Sequence, residues 1–323
     1  MSGQDALVAA AGAIRGAASV VLGSHRDPDG DAIGSALGLL HALEAIGVHA
    51  TATLANGERC PATYRFLPGS DRFVAAGALD APDVFIALDA PALSRLGEAE
   101  PLARSASTLI MVDHHPDALE QGHIHIFDPT AAATGCLLWR LLPHLGVTPD
   151  ARVATCLYTA LLTDTGRFSY ANTTAAALRT AADMVDAGAD PSYVYTNAYE
   201  SRTAAAQRLI GLTLERVTLV NDGRVAYSWV TDEDFRETGA LPEEGENLID
   251  HVRALGGIDA AFLAKVTKGQ VRGSLRAKRD ADVGSVARTL GGGGHRAAAG
   301  FTFDGTLDAL LARLLPLLPG GDA

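Results

Sequence analysis

Cationic side chains are scarce in this 323-residue chain: 26 lysines and arginines face 38 aspartates and glutamates, for a formal net charge of −12. Three of the 26 are lysine, at Lys265, Lys268 and Lys278. The scarcity excludes the broad basic face with which a protein grips long nucleic acid, and it leaves a short nucleotide substrate open. No apolar run approaches the ~20 residues that a helix needs to cross a bilayer, so no membrane partner is expected. The N-terminal stretch reads as an alanine-rich amphipathic helix, without the charged segment and continuous apolar segment of a signal peptide. Cysteine is scarce as well. Cys60, Cys136 and Cys156 are an odd number with no CxxC spacing, which argues against disulfides and zinc and for buried thiols in a cytoplasmic protein.

What the chain does hold is acid at the ends of apolar runs. Ser24-His25-Arg26-Asp27-Pro28-Asp29-Gly30-Asp31 follows the run Ser19-Val20-Val21-Leu22 and sets one imidazole beside three carboxylates. Carboxylates held that close repel unless something positive neutralises them. Oxygen and imidazole nitrogen together suit a divalent metal ion. Val84-Phe85-Ile86-Ala87-Leu88 runs into Asp89 in the same way, and Leu109-Ile110-Met111-Val112 into Asp113-His114-His115. Asp164 closes an apolar helical stretch that begins at Val153. A single aspartate after a strand reads as a helix cap. Four such places in one chain point to a polynuclear metal site with His25, Asp29, Asp31, Asp89, His114 and Asp164 as donors. An EF-hand loop fails its own geometry, because its sixth position would be Ala32 and its twelfth Gly38.

The pattern of apolar runs and turns predicts an α/β fold, a mostly parallel helix-covered sheet followed by a second, smaller mixed α/β domain. Strands are expected near 18–24, 49–54, 83–88, 108–112 and 123–127, with helices near 31–46, 93–104, 132–145, 150–163 and 174–187. Such fully apolar strands are buried on both faces, and open sheets of this kind gather ligands beyond the carboxyl ends of their strands. Gly30, Gly34 and Gly38 recur every fourth residue, which suggests close packing of their helix on the sheet. The expected domains are residues 1–190, a helical linker over 191–210, and residues 211–323. A content of 48% hydrophobic residues is enough for two cores.

The charge is unevenly shared. Residues 1–205 carry 12 basic and 22 acidic side chains, a net −10, whereas residues 206–323 carry 14 and 16, a net −2. The basic concentration lies at Lys265, Lys268, Arg272, Arg276, Lys278 and Arg279, with no acid among them. Period-two alternation puts Arg272, Ser274, Arg276 and Lys278 on one face of a strand. Further on, Gly291-Gly292-Gly293-Gly294-His295 is a loop whose backbone N–H groups can approach an anion, and it lacks the Gly-Lys-Ser/Thr ending of a P-loop.

The ordered set His25-x-x-x-Asp29-x-Asp31 with Gly34-Ser35, Asp89, Asp113-His114-His115 and Asp164 resembles the four motifs of the DHH phosphoesterases. Gly291 to Gly300 resembles the signature of the associated DHHA1 domain. The resemblance spans nearly the whole chain and is closest to the subgroup of bifunctional oligoribonucleases and 3′-phosphoadenosine-5′-phosphate phosphatases, which includes cyclic-dinucleotide phosphodiesterases. It implies that His25, Asp29 and Asp89 hold one metal ion and that Asp31, Asp89, His114 and Asp164 hold a second, with Asp89 bridging. Manganese is the implied metal, magnesium or cobalt the substitutes, and a homodimer the implied assembly.

His115 is assigned to the substrate phosphate or the leaving oxygen, and Asp113 to orienting a metal-ligating histidine. Ser274, Arg276, Gly293, Gly294 and His295 are the expected substrate-binding residues. The expected activity is release of 5′-mononucleotides from very short RNA or DNA, and hydrolysis of nucleotide phosphates, in the cleft between the domains. Cyclic dinucleotides are the alternative substrate. A non-catalytic nucleotide sensor is the alternative of another class, although a sensor is expected to have lost a metal ligand and all six stand here. A type II inorganic pyrophosphatase shares the N-terminal motifs, but the glycine-histidine loop argues against it.

Overall fold

The computed structural model describes residues 3–55, 57, 59–246, 248–278 and 280–321; Arg279 of the basic window lies outside the described residues. The chain divides into two units, Met1–Glu200 and Ser201–Ala323.

In the first unit, strands β1 (Val20–Ser24), β2 (Ala50–Thr53), β3 (Val84–Leu88), β4 (Thr108–Asp113) and β5 (Ile124–Phe127) form a parallel sheet in the order β2-β1-β3-β4-β5. Its helices are α1 (Gly3–Gly16), α2 (Gly30–Ala45), α3 (Glu100–Ser105), α4 (Thr134–Leu145), α5 (Ala151–Asp164), α6 (Ala175–Asp186) and α7 (Pro191–Tyr199). Alternate strand residues enter two separate cores. Val20, Leu22, Ile86, Leu88, Ile110 and Val112 pack with α1, α2, α4 and α5 on one side of the sheet. Val21, Phe85, Ala87, Leu109 and Met111 pack with residues 93–106 on the other. Both faces are covered, which is why these strands read as unbroken apolar runs. The order reverses between β1 and β3, since β2 lies on one side of β1 and β3 on the other. Ligands in open α/β sheets bind at such a switch point.

The glycines of α2 answer to a helix, not to the sheet. A Cβ on Gly34 would stand 2.4 Å from the Cys156 carbonyl oxygen, and one on Gly38 2.6 Å from the Leu157 side chain, both on α5. The expected close packing is therefore between α2 and α5. The expected helix over 93–104 is also interrupted. Residues 93–99 form 3₁₀ turns ending at Gly97, whose φ of 54° and ψ of −123° break any continuous helix before α3 begins.

The second unit runs α8 (Ala204–Glu215), β6 (Thr218–Val220), β7 (Val225–Thr231), α9 (Asp232–Thr238), α10 (Leu248–Arg253), β8 (Ala260–Thr267), β9 (Gln270–Ala277), α11 (Val283–Thr289), β10 (Gly293–His295), β11 (Ala298–Asp304) and α12 (Leu307–Leu314). Its sheet has the order β10-β11-β9-β8-β7-β6 and is antiparallel except for β7 against β8. One face packs with α11 and α12 through Phe262, Leu275 and Phe301. On the other face, α8 and α10 cover Ala226, Ala261 and Leu263 on β7 and β8. The architecture is the expected one, a parallel helix-covered sheet followed by a smaller mixed unit. Among the described residues no helix is long and apolar enough to cross a membrane.

Candidate metal centre

The carboxyl ends of β1, β3 and β4 deliver His25, Asp89 and Asp113-His114 to one edge of the first sheet. Asp29 caps α2, its Oδ1 accepting from the N–H groups of Asp31 and Ala32 at 3.0 and 3.1 Å. Capping and ligation are compatible, because a carboxylate has lone pairs for both. Asp31 lies in the first turn of α2, and Asp164 is the last residue of α5. Asp89 follows β3 with a φ of 54°, a conformation uncommon for a residue with a side chain and found at functional sites.

The six predicted donors meet. His25 Nε2 lies 3.3 Å from Asp89 Oδ2 and 3.9 Å from Asp29 Oδ1. His114 Nε2 lies 3.5 Å from Asp31 Oδ2, 3.6 Å from Asp89 Oδ1 and 3.6 Å from Asp164 Oδ2. Three groups emerge in this unit, His25 with Asp29 and Asp89, Asp31 with His114 and Asp164, and Asp89 with Asp113 and His115; the first two contain all six predicted donors. The two oxygens of Asp89 face one each of those first two. Most of these separations are longer than a good hydrogen bond. They are close to the about 3.0–3.6 Å that separates neighbouring donors on one ion with bonds of about 2.0–2.2 Å. The set can hold metal.

Each imidazole is fixed through Nδ1. His25 Nδ1 lies 2.7 Å from the Arg26 carbonyl and His114 Nδ1 3.1 Å from the Ala131 carbonyl. A carbonyl only accepts, so Nδ1 carries a proton and Nε2 is the nitrogen turned to the carboxylates, free to ligate once its own proton is shed. His115 is held differently. Asp113 Oδ1 accepts from its Nδ1 at 2.8 Å and from its backbone N–H at 2.9 Å. Its ring meets that of His114 edge-on, with centroids 5.1 Å apart and an inclination of 63°, and its Nδ1 lies 3.6 Å from Asp89 Oδ1.

The second unit sets three of its candidates on one face. Arg276, Ala298 and His295 stand in cross-strand register over β9, β11 and β10, and Ser274, Gly300 and Gly293 form the next such row. Residues opposite one another project to the same side. Ser274, Arg276 and His295 therefore share the face whose β7–β8 half is covered by α8 and α10. Lys265 and Arg272, directly paired, lie on it too. Lys278 does not: it follows the end of β9, and its Nζ donates to the Leu255 carbonyl at 2.6 Å. The glycine run is a turn only as far as Gly292, since Gly293–His295 is strand β10. A Cβ on Gly292 would stand 2.1 Å from the Gly300 carbonyl oxygen, so close packing against β11 alone already demands a glycine there.

A model of the DHH family, N-terminal domain, matches residues 19–161, and one of the DHHA1 domain matches residues 222–317. NrnA of Thermus thermophilus, a bifunctional oligoribonuclease and PAP phosphatase, is 34% identical over 299 residues, which covers 92% of this chain and 88% of that protein. This chain belongs to the DHH family. NrnA of Bacillus subtilis is 25% identical to it over 286 residues, covering 87% of this DHH protein and 88% of the relative. The crystal structure of an exopolyphosphatase-related protein from Bacteroides fragilis matches with a TM-score of 0.88 at 25% identity, over 96% of this chain and 94% of that one.

The DHH centre also contains residues that the sequence did not flag. Thr134 opens α4, and its N–H donates to Asp31 Oδ2 at 2.6 Å while its hydroxyl donates to Asp89 Oδ1 at 3.0 Å. Gly135 N–H and the Ser35 hydroxyl both donate to Asp31 Oδ1 at 3.0 Å. Asn172 Nδ2 donates to the Asp164 carbonyl at 3.1 Å and reaches its Oδ2 at 3.4 Å. Ser35 was at hand in the motif Gly34-Ser35. Thr134 and Asn172 carry no local sequence signal beyond a helix start and a turn.

Without metal, the DHH centre retains protons. Burial pushes Asp164 up to about 6 against the pull of His114, with the Asp29 and Asp89 carboxylates adding to the rise. Burial and the Asp89 carboxylate likewise hold Asp31 well above the usual carboxylate range. For His25, burial opposes the charged form, but contact with Asp29 and Asp89 outweighs it and the pKa is raised. Donors must shed these protons to bind metal. Metal affinity should therefore rise with pH, through the range in which Asp164 deprotonates at about 6 and beyond it as the raised histidines lose theirs, and binding should release protons. Manganese titrations by calorimetry at pH about 5.5 and about 7.5, each in buffers of different ionisation enthalpy, measure both effects. Equal affinity at the two pH values would contradict this account of the donors.

Proposed function

We propose that this protein is a manganese-dependent phosphoesterase that holds two ions and releases 5′-mononucleotides from very short oligonucleotides, and that it also converts 3′-phosphoadenosine-5′-phosphate to AMP. The observation that carries the reading is the meeting of six metal donors from four separate stretches, in a chain similar to NrnA over nine-tenths of its length. His25, Asp29 and Asp89 hold one ion, and Asp31, Asp89, His114 and Asp164 the other. The mixture of carboxylate oxygen and imidazole nitrogen suits manganese, with magnesium or cobalt as substitutes. Bound there, divalent ions supply a water of lowered pKa and positive charge for the phosphoryl oxygens.

The protein's own groups do the rest. Asp113 keeps the His115 proton on Nδ1, which leaves Nε2 to meet the substrate phosphate and pass a proton to the leaving oxygen. Burial opposes a charged His115, but the Asp113 hydrogen bond and the Asp89 carboxylate push it up to about 9 before metal binds, and the Asp113 hydrogen bond continues to favour the acid form afterwards. Residues 1–190 form the catalytic domain, 191–210 the linker, and 211–323 the domain that binds the remainder of the substrate. There Ser274, Arg276, Gly293, Gly294 and His295 contact phosphate. The three thiols are free and buried, which supports a cytoplasmic location, and a homodimer is the assembly that the family resemblance implies.

The face of β9 carries few cations in an acidic chain, so it suits substrates of two to about five nucleotides, with a shallow dependence of affinity on salt. Hydrolysis of a length series at several salt concentrations tests this. A long single strand degraded equally fast, with a steep salt slope, would overturn the short-substrate reading. Including a cyclic dinucleotide in the series tests the alternative substrate, which gains if the ring is opened faster than the linear dinucleotide is cut. Arg276→Ala should raise KM for dinucleotides about 10–150-fold, because a charge-assisted hydrogen bond to phosphate contributes about 1.5–3 kcal/mol. Metal content should not change. Steady-state kinetics on a dinucleotide and on a minimal bis-phosphoester measure it; an unchanged KM on the dinucleotide removes Arg276 from the substrate site.

A further inference from the structure

We infer that Thr134 is a positioning residue that sets one metal group and leaves the other alone. It is fully buried and opens α4, where two of its atoms touch carboxylates that lie far from it in sequence. Its N–H donates to Asp31 Oδ2 at 2.6 Å and its hydroxyl to Asp89 Oδ1 at 3.0 Å. Both of those oxygens face His114 Nε2, at 3.5 and 3.6 Å. The opposite oxygen of Asp89, Oδ2, faces His25 and is not the one that Thr134 holds. Thr134 therefore fixes the separation of two oxygens within the Asp31–His114–Asp164 group. Asp31 also has Gly135 N–H and Ser35 to hold it, whereas among the described residues the Thr134 hydroxyl is the one hydroxyl that donates to Asp89 Oδ1. Removing that hydroxyl frees the bridging carboxylate on one side. Hydrogen-bond partners of metal ligands typically contribute 10–100-fold to metal affinity. Here the loss should fall on one binding event of two.

The inference rests on the two-ion reading above, and one set of titrations separates their failures. The full-length protein, stripped with chelator, is titrated with manganese alone in a calorimeter, as wild type and as Thr134→Val, Thr134→Ala and Thr134→Ser. Valine removes the hydroxyl and keeps the shape. Alanine removes the hydroxyl without adding a methyl group beside Asp89, and serves if the valine variant does not fold. The wild type should bind two ions. The valine or alanine variant should weaken one event by about 10–100-fold and leave the other within about twofold, and serine should restore the first. A general structural defect would lower both events together. A wild type that binds fewer than two ions overturns the two-ion reading and this inference with it. Two wild-type events, with neither or both weakened in the variant, or with serine no better than valine, overturn the role of Thr134 alone.

Discussion

Asp89→Asn is expected to lose at least ~10³-fold in kcat while keeping its fold, since metal assistance is worth several kcal/mol and each ~1.4 kcal/mol is a factor of ten. The argument rests on its two oxygens. Oδ2 lies 3.3 Å from His25 Nε2 and Oδ1 lies 3.6 Å from His114 Nε2, so neutralising this one side chain weakens both donor groups. Asparagine is the variant of choice because the residue has a φ of 54°, which asparagine tolerates better than most side chains. The Thr134 hydroxyl can still donate to an amide oxygen at that position. Circular dichroism, metal content by mass spectrometry and kcat on a dinucleotide would be measured on the same preparation. Hydrolysis near the wild-type rate with two bound ions would remove Asp89 from its bridging role.

His114→Ala and His115→Ala should fail in different ways. His114 Nε2 faces three carboxylates of the centre, so its loss should lower both metal content and turnover. His115 is tied to Asp113 through Nδ1, at 2.8 Å, so the nitrogen nearest the centre is already engaged. Its removal should spare the metal and cost about 10²–10⁴-fold in kcat, the range for a lost acid or electrostatic stabiliser. The pH profile carries the same distinction. With the Asp113 hydrogen bond favouring the charged form of His115, the wild-type rate should fall on the alkaline side of its profile, and the alanine variant should lack that limb. Equal metal content in the two variants would mean that the roles of the histidines are wrongly divided.

The candidate donors were legible because each stands at the boundary of an element that announces itself. His25, Asp89 and His114 follow apolar strands, Asp164 ends an apolar helix, and Asp29 and Asp31 open one, Asp29 as a cap that also faces His25. The contacts that tune those donors were not legible. Thr134 acts on Asp31 and Asp89, 103 and 45 residues away, and no local pattern encodes that distance. Glycine spacing was read correctly as close packing, yet periodicity cannot name the partner, and α5 rather than the sheet receives α2. The same limit applies at Gly97, where a single positive φ splits what apolar spacing reads as one helix. On β9, alternation put Arg272, Ser274 and Arg276 on one face and extended it one residue pair too far, to Lys278, because the strand stops at Ala277. The shared face of Arg276 and His295 depends on the register of three strands, which fixes side-chain direction only once the pairing is known.

The most direct test of the account is turnover of a dinucleotide by one preparation of the protein, first stripped of metal and then titrated with manganese. The account predicts no mononucleotide from the stripped protein and a rate that rises with added manganese until two ions are bound per chain. Turnover by the stripped protein, or none at full loading, would contradict it.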